Sequence, residues 1–200
     1  MDLPKRKSTR LKGYDYSTPG MYFVTVCVKN KEYLLGNIVG GGDFDAPKMI
    51  LSKHGEILDN YICLMNEKFS HIVIDKYVIM PNHFHMIISI TELKNGASGT
   101  AAPYNSEISK FISLLKRYCN KEYNETIWQR SYHDHIIRDK NDYKNIWEYI
   151  DENVLRWQND CFYAVRKFPR YARKTHMAQQ SDYLPTAGAV TESLCSASNN

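Results

Sequence analysis

Two histidines stand two residues apart in the stretch Pro81-Asn82-His83-Phe84-His85, at the head of an apolar run that continues to Ile90. Successive side chains of a strand point to opposite faces, so His83 and His85 would share one face while Phe84 points into a core. Two imidazoles at this spacing can bind one metal ion and leave positions open for further ligands. The pair alone is weak evidence, because surface strands also carry two histidines by chance.

A tyrosine and an asparagine lie four residues apart in the last predicted helix, at about 142–157, which Asp139 or Asn141 would cap. Tyr149 and Asn153 share a flank of this helix. A tyrosine can act as a nucleophile, and an amide oxygen can complete a metal site with the two histidines. Two neutral imidazoles and an amide leave the cation its full charge, which suits a phosphodiester substrate whose transition state gains negative charge.

The elements that would position these residues follow the order strand, helix, strand, strand, helix, strand. The sequence predicts strands at 21–28, 71–79 and 83–91, a hairpin within 33–51, helices at 52–69 and 106–122, an extended segment at 127–138 and the last helix. This order predicts an α+β fold, a ferredoxin-like split βαβ antiparallel sheet with helices on one face and a C-terminal helix carrying the nucleophile. The strand at 83–91 would lie beside the first strand in mid-sheet, with its histidines on the face that is free for a ligand.

Basic residues flank the predicted domain on both sides, although the net charge is only +4. The two clusters are Lys5, Arg6, Lys7, Arg10 and Lys12, and then Arg166, Lys167, Arg170, Arg173 and Lys174. They indicate a polyanionic partner, although solvated tails explain the charge equally well. We expect a basic N-terminal arm at 1–19, a catalytic domain at 20–160, a basic segment at 161–174 and a disordered tail at 175–200.

Cysteine usage and hydropathy exclude several protein classes. The five cysteines are far apart and form no C-x-x-C pair, so neither a disulfide framework nor a zinc ribbon is indicated. Reduced thiols are typical of a cytosolic protein. The N-terminus lacks the apolar stretch of a signal peptide, and no run reaches the length of a membrane span. We therefore expect a cytoplasmic protein with no membrane association.

Four motifs together resemble the HUH single-tyrosine transposases, in the branch of repeat-associated (REP-element) tyrosine transposases. They are an opening with RLKGYDY at 10–16 and GMYFVT at 20–25, a histidine motif VIMPNHFH at 78–85, a strand IWQRSYHDHIIR at 127–138 and a nucleophile helix EYIDEN at 148–153. The joint pattern is far more specific than any single motif.

This resemblance implies that His83 and His85 bind Mg²⁺ or Mn²⁺, that Asn153 is the third ligand and that Tyr149 is the nucleophile. It implies an endonuclease and strand transferase of DNA transposition, which nicks single-stranded DNA near hairpins and leaves a 5′-phosphotyrosine and a free 3′-hydroxyl. A bacterial, nucleoid-associated protein is expected, as a monomer or a homodimer. One departure is visible: the family commonly has Asn-Pro here, whereas Val154 follows Asn153, so we expect the helix to continue to 157.

A DNA-binding role explains the basic N-terminal arm better than solubility does. Single-stranded DNA is held through its phosphates by lysine and arginine and through its bases by stacked aromatic rings. The predicted DNA-binding residues are Lys5, Arg6, Lys7, Arg10, Lys12 and Tyr14, with Lys116 and Arg117 on the second helix.

The sequence leaves several alternatives open. Tyr132 is a rival nucleophile because it lies beside His133 and His135, a second H-x-H pair. A domesticated protein would bind hairpin DNA and no longer cut it. A histidine phosphohydrolase acting on small nucleotides would explain the two histidines but neither the basic segments nor the tyrosine helix.

Overall fold

A computed structural model describes residue 14 and residues 18–42, 45–91 and 106–163. The predicted DNA-binding residues Lys5, Arg6, Lys7, Arg10 and Lys12 lie outside the described residues. The basic cluster from 166 onward and the expected tail at 175–200 also lie outside them. Among the described residues, no helix combines the length and the apolar character that crossing a lipid bilayer requires.

Six β-strands and three α-helices form the described part of the fold, besides two short 3-10 turns at 29–31 and 157–159. In chain order they are β1 (Gly20–Cys27), β2 (Gly36–Val39), β3 (Lys48–Leu51), α1 (Lys53–Lys68), β4 (Ile72–Met80), β5 (His83–Ile90), α2 (Glu107–Tyr123), β6 (His133–Ile137) and α3 (Lys140–Glu152). Strands β2 and β3 pair as a separate ribbon, which confirms the predicted hairpin.

The main sheet has the order β4-β5-β1-β6, and its neighbouring strands are antiparallel. The first strand and the histidine strand therefore lie side by side in mid-sheet, as the ferredoxin-like α+β prediction required. Their register places Thr25 opposite His85 and Cys27 opposite His83.

The two faces of this sheet carry different helices. Val24, Phe84 and Met86 belong to the large core that α1 and α2 cover on one face. On the other face, Ile87 and Ile150 join a smaller apolar cluster that attaches α3. The alternation of strand side chains places the histidines on this second face. The face that we expected to be free is therefore partly covered by α3.

Helix α1 begins at a tight contact with the loop before it. Ser52 caps the helix by accepting a hydrogen bond from the amide of Gly55 at 3.2 Å. A Cβ atom at position 55 would collide with the carbonyl oxygen of Leu35 and would lie 3.1 Å from the Leu51 side chain. The backbone of this segment therefore requires glycine at a helical position.

We expect Gly55→Ala to lower the free energy of unfolding by about 1–3 kcal/mol because the added methyl group overpacks this contact. At an exposed helix position, the change from glycine to alanine would instead raise the free energy of unfolding by up to about 1 kcal/mol. Urea unfolding followed by circular dichroism measures the difference. The exposed Lys53→Ala is the control, and it should change stability by less than about 0.5 kcal/mol. A stabilised Gly55→Ala variant would contradict the packing described.

Helix α3 begins at the expected cap, Asp139, whose side chain accepts from the amides of Asn141 and Asp142. Its end differs from the prediction: the helix stops at Glu152 and does not continue to 157. The chain then turns, and a short 3-10 turn at 157–159 buries the Trp157 indole. Burial of this large ring favours the turn over further helix, although no proline enforces it.

Candidate functional site

The two histidines lie side by side at the start of β5, on the face that α3 partly covers. Nε2 of His83 lies 2.9 Å from Nε2 of His85. Both side chains are buried. Adjacent ligands of a cation with bonds of about 2.1 Å lie about 3 Å apart, so this separation suits one shared divalent ion.

Asn82 fixes which nitrogen of His83 faces its neighbour. Nδ2 of Asn82 donates to the carbonyl oxygens of Lys31 and Phe162, at 3.2 and 2.9 Å. Its Oδ1 therefore faces His83 and accepts from Nδ1 at 2.8 Å. Nε2 of neutral His83 carries the lone pair that a metal ligand needs.

Side chains of β1 fix the orientation of the His85 imidazole. Its Nδ1 lies 2.8 Å from Oγ1 of Thr25, and the Phe23 ring stacks on the imidazole at 5.1 Å between centroids. Burial lowers the pKa of His85 to about 3. Burial, together with electrostatic repulsion from the neighbouring His85 and Lys31, holds the pKa of His83 well below its usual value. Both imidazoles are therefore neutral at neutral pH, which is the form that binds metals.

We expect Asn82→Ala to weaken Mn²⁺ binding by about 10–100-fold, the usual cost of losing an outer partner that orients a metal-binding histidine. Titration calorimetry without DNA measures the affinity. Asn66→Ala is the matched control, because it also removes a side-chain amide that bonds to the backbone. Oδ1 of Asn66, on α1, accepts a hydrogen bond from the backbone amide of Ile74. Equal affinities in both variants would show that Asn82 does not orient His83.

Contacts with β4 hold α3 in place beside the histidines. Nζ of Lys76 lies 3.9 Å above the centre of the Trp147 ring and forms an ion pair with Asp151. Ile150 is buried against the sheet. These contacts fix the helix on either side of Tyr149.

Tyr149 reaches the histidine pair. Its hydroxyl lies 3.2 Å from Nε2 of His85, and its ring packs edge-on against Phe23. The residue is 39% exposed, so a substrate can reach the hydroxyl from solvent. A nucleophile with this position lies next to any ion that the histidines bind.

Asn153 lies one helical turn beyond Tyr149 and contacts it. Burial raises the pKa of Tyr149, and the charge of Asp160 raises it further, whereas a hydrogen bond from the Asn153 side chain lowers it. Asn153 is only 3% exposed, and its Oδ1 has no hydrogen-bond partner among the described residues. Buried polar atoms are rarely left without a partner, so this oxygen is available to a ligand.

Sequence reasoning missed a carboxylate at this site. Oδ2 of Asp160 lies 3.9 Å from Nε2 of His83, and donor atoms of Asp160, His83 and His85 all lie within 4.8 Å of one another. Two imidazoles and one carboxylate are a common ligand set for divalent metals. Asp160 follows the unpredicted turn after α3, so its spacing from the histidines gave no signal in the sequence.

The rival residues lie elsewhere or point outward. Tyr132 is buried in the core on the opposite face, with its hydroxyl 2.9 Å from that of Ser109. His133 is exposed, and Nε2 of His135 pairs with Asp142 at 2.8 Å. The structure therefore brings Tyr149, and not Tyr132, to the His83–His85 pair.

The described DNA-binding candidates lie away from the histidines. Tyr14 packs edge-on against Tyr22 in the main core. Nζ of Lys116 donates to the carbonyl oxygens of Gln129 and Ser131, at 2.8 and 2.9 Å. Arg117 is exposed on α2.

Comparison with known proteins gives a consistent set of relatives. The chain matches no family profile. It is 36% identical to an uncharacterized protein of Haemophilus influenzae over 178 residues, which cover 80% of the chain and 93% of that protein. It is 25% identical over 148 residues to a second H. influenzae protein, named "Putative REP-associated tyrosine transposase", and the match covers 71% of the chain and 74% of that protein.

A solved structure shares the fold. It is that of a REP-associated tyrosine transposase bound to a REP hairpin, with a TM-score of 0.52 and 20% identity. The match covers 96% of the present chain and 94% of the solved one. The α+β arrangement is therefore that of this transposase.

Proposed function

Because the chain belongs to the REP-associated tyrosine transposase branch of the HUH single-tyrosine transposases, we propose that it nicks and rejoins single-stranded DNA at repeat hairpins through Tyr149. The proposed activity is a metal-dependent endonuclease and strand transferase of DNA transposition. Its substrate would be hairpin DNA, the partner named for the related solved structure.

One observation carries this proposal: the hydroxyl of Tyr149 lies 3.2 Å from Nε2 of His85, which lies 2.9 Å from Nε2 of His83. A nucleophile and two neutral metal-binding nitrogens thus meet at one partly exposed point. A phosphodiester at that point can contact the nucleophile and the cation together.

The proposed reaction replaces one phosphodiester bond with another. The Tyr149 oxygen attacks the phosphorus, the bond from phosphorus to the 3′-oxygen breaks, and that oxygen leaves with a proton as a free 3′-hydroxyl. The phenolic proton passes to solvent, which reaches the exposed side of Tyr149. The product is a 5′-phosphotyrosine, which retains a phosphodiester for attack by another 3′-hydroxyl in the rejoining step.

His83 and His85 would hold the Mg²⁺ or Mn²⁺, and the buried Oδ1 of Asn153 would complete the site. The cation supplies positive charge that stabilises the transition state of the phosphate. Asn153 has a second task in this proposal, because its hydrogen bond favours the ionised form of Tyr149.

The remaining expected features stay proposals. The basic arm at 1–19, the segment at 161–174 and Arg117 would bind DNA phosphates. Lys116 would contribute its positive charge, although its ammonium group already donates to two backbone carbonyl oxygens. Tyr149 reaches the histidines of its own chain, which supports catalysis by a monomer and does not require exchange of α3 in a homodimer.

The test uses single-stranded DNA that carries a repeat hairpin from the host genome, labelled at its 5′ end or at its 3′ end. The protein is incubated with each DNA and Mn²⁺ and then separated on a denaturing protein gel. We expect a band of labelled protein only with the 3′-labelled DNA, because the fragment with the 5′-phosphate stays attached, and we expect EDTA to abolish it.

The alternatives predict other results. Tight, salt-sensitive hairpin binding without any adduct would identify a domesticated hairpin-binding protein and overturn the proposal. Turnover of small nucleotides that survives Tyr149→Phe, again without an adduct, would identify a histidine phosphohydrolase.

A further inference from the structure

We infer that Asp160 is a ligand of the cation, so that the segment after the nucleophile helix supplies a carboxylate to the metal centre. The inference rests on the proposed function for the presence of a divalent cation at the histidine pair. It adds a negatively charged ligand to the two imidazoles and the amide.

One carboxylate oxygen of Asp160, Oδ2, faces the histidines. Oδ1 accepts a hydrogen bond from the Phe162 amide at 2.6 Å. Oδ2 lies 3.9 Å from Nε2 of His83. Oδ1 accepts from the backbone, whereas Oδ2 is the oxygen that faces His83 and could bind a cation shared with the two imidazole nitrogens.

The electrostatic surroundings of Asp160 favour a cation at this position. Its side chain is only 5% exposed, and neither lysine nor arginine forms an ion pair with it among residues 18–42, 45–91 and 106–163. The partner at 3.9 Å, His83, is itself buried and neutral. Hydrogen bonds from the Phe162 amide and from the Cys161 thiol compensate part of the desolvation. A buried carboxylate that has no ion pair with a lysine or an arginine is costly, and a divalent cation between it and the histidines would lower that cost.

The buried side-chain oxygen of Asn153 also supports the inference. Oδ1 of Asn153 is without a hydrogen-bond partner in the described part of the chain, and the Asn153 side chain contacts Tyr149, whose hydroxyl lies beside His85. A second buried oxygen is thus available beside Tyr149, whose hydroxyl lies next to the imidazole nitrogens that Asp160 approaches. Oxygen donors suit Mg²⁺ and Mn²⁺, and the imidazoles add affinity for Mn²⁺.

The segment that carries Asp160 is attached to the first ligand through Asn82. The Asn82 amide donates to the Phe162 carbonyl and accepts from His83. Lys31 also donates to the Cys161 carbonyl at 2.8 Å. These bonds hold residues 160–162 over the histidines, which lowers the entropy that Asp160 would lose on binding a cation.

The first experiment measures Mn²⁺ binding by calorimetry, without DNA, in the full chain and in Asp160→Asn. We expect the dissociation constant to rise by at least about 10–100-fold, the cost of losing only an outer partner of a ligand, because the variant keeps the shape of the side chain and loses the charge of a direct ligand. Asp59→Asn is the matched control: it removes a carboxylate on α1 that accepts a hydrogen bond from the Tyr77 hydroxyl of β4, and it should leave the affinity unchanged. Equal affinities in all three proteins would overturn the inference.

A second experiment separates direct ligation from an indirect effect. In a Cys161→Ser background, Asp160→Cys would place a thiolate against the bound ion. We expect Co²⁺ to give a sulfur-to-cobalt charge-transfer absorption in this variant and none in Cys161→Ser alone. Absence of that absorption, while Co²⁺ still binds, would show that position 160 is not a ligand.

The outcomes also distinguish this inference from the proposed function. Mn²⁺ binding that depends on Asp160 in a chain that forms no DNA adduct would overturn the function and support the ligand. A chain that forms the DNA adduct, but whose Mn²⁺ affinity is unchanged by Asp160→Asn, would support the proposed function and overturn the inference that Asp160 is a ligand.

Discussion

Tyr149→Phe is expected to reduce the covalent protein–DNA adduct at least about a thousandfold, to below detection, because it removes the hydroxyl oxygen that lies beside the histidine pair. Hairpin binding should stay within about twofold, since phenylalanine keeps the ring that packs on Phe23. Adduct formation is measured on denaturing gels with 3′-labelled hairpin DNA, and binding is measured by fluorescence anisotropy.

Tyr132→Phe is the control for this substitution. It removes a buried hydroxyl that lies 2.9 Å from the Ser109 hydroxyl, so it should cost about 1 kcal/mol of stability and leave the adduct intact. An adduct that persists in Tyr149→Phe and is lost in Tyr132→Phe would move the nucleophile to the opposite face of the sheet.

His83→Ala is expected to weaken Mn²⁺ binding by more than about a hundredfold, since loss of an outer partner alone costs about 10–100-fold. The adduct should be lost with it, because the charge that stabilises the transition state is then missing. Calorimetry with Mn²⁺ in the absence of DNA reports the first effect, and the gel assay reports the second.

His133→Ala is the matched control for the histidine variant. His133 belongs to the second H-x-H pair but is exposed on the edge strand β6. Its removal should leave Mn²⁺ affinity and adduct formation unchanged. A larger loss of Mn²⁺ affinity in His133→Ala than in His83→Ala would place the metal at the sheet edge and contradict the site described here.

Periodicity was sufficient to predict the main parts of the fold and which candidate residues share a face, whereas their union in one site was implied by the resemblance to the transposase family. The two-residue period of β5 placed His83 and His85 on one face, and helical spacing placed Tyr149 and Asn153 on one flank of α3. The order of strands and helices then placed the histidine strand in mid-sheet. Each of these relations is local or follows from topology, so the sequence carries it directly.

Contacts that depend on register or on turns were not predictable in this way. Thr25 meets His85 only because β1 and β5 pair with that register. Asp160 reaches His83 only because α3 ends early and the chain turns back, and the absence of proline after Asn153 suggested the opposite. Burial of Trp157, a tertiary interaction, decides the end of this helix.

Charge patterns were the least informative part of the sequence. Lys116 was a candidate for binding DNA phosphates, but its ammonium group lies between two backbone carbonyl oxygens. Burial lowers its pKa to about 8. A sequence shows that a lysine is present on a helix but does not show whether a neighbouring loop occupies its donors.

The most direct test of the account is the chemical identity of the protein–DNA linkage. The adduct formed with hairpin DNA and Mn²⁺ is digested with nuclease and trypsin, and the modified peptide is sequenced by mass spectrometry. The account predicts a nucleotide joined through its 5′-phosphate to the peptide 145–156, in which Tyr149 carries the only hydroxyl side chain. A nucleotide on another peptide, or one joined through its 3′-phosphate, would contradict it.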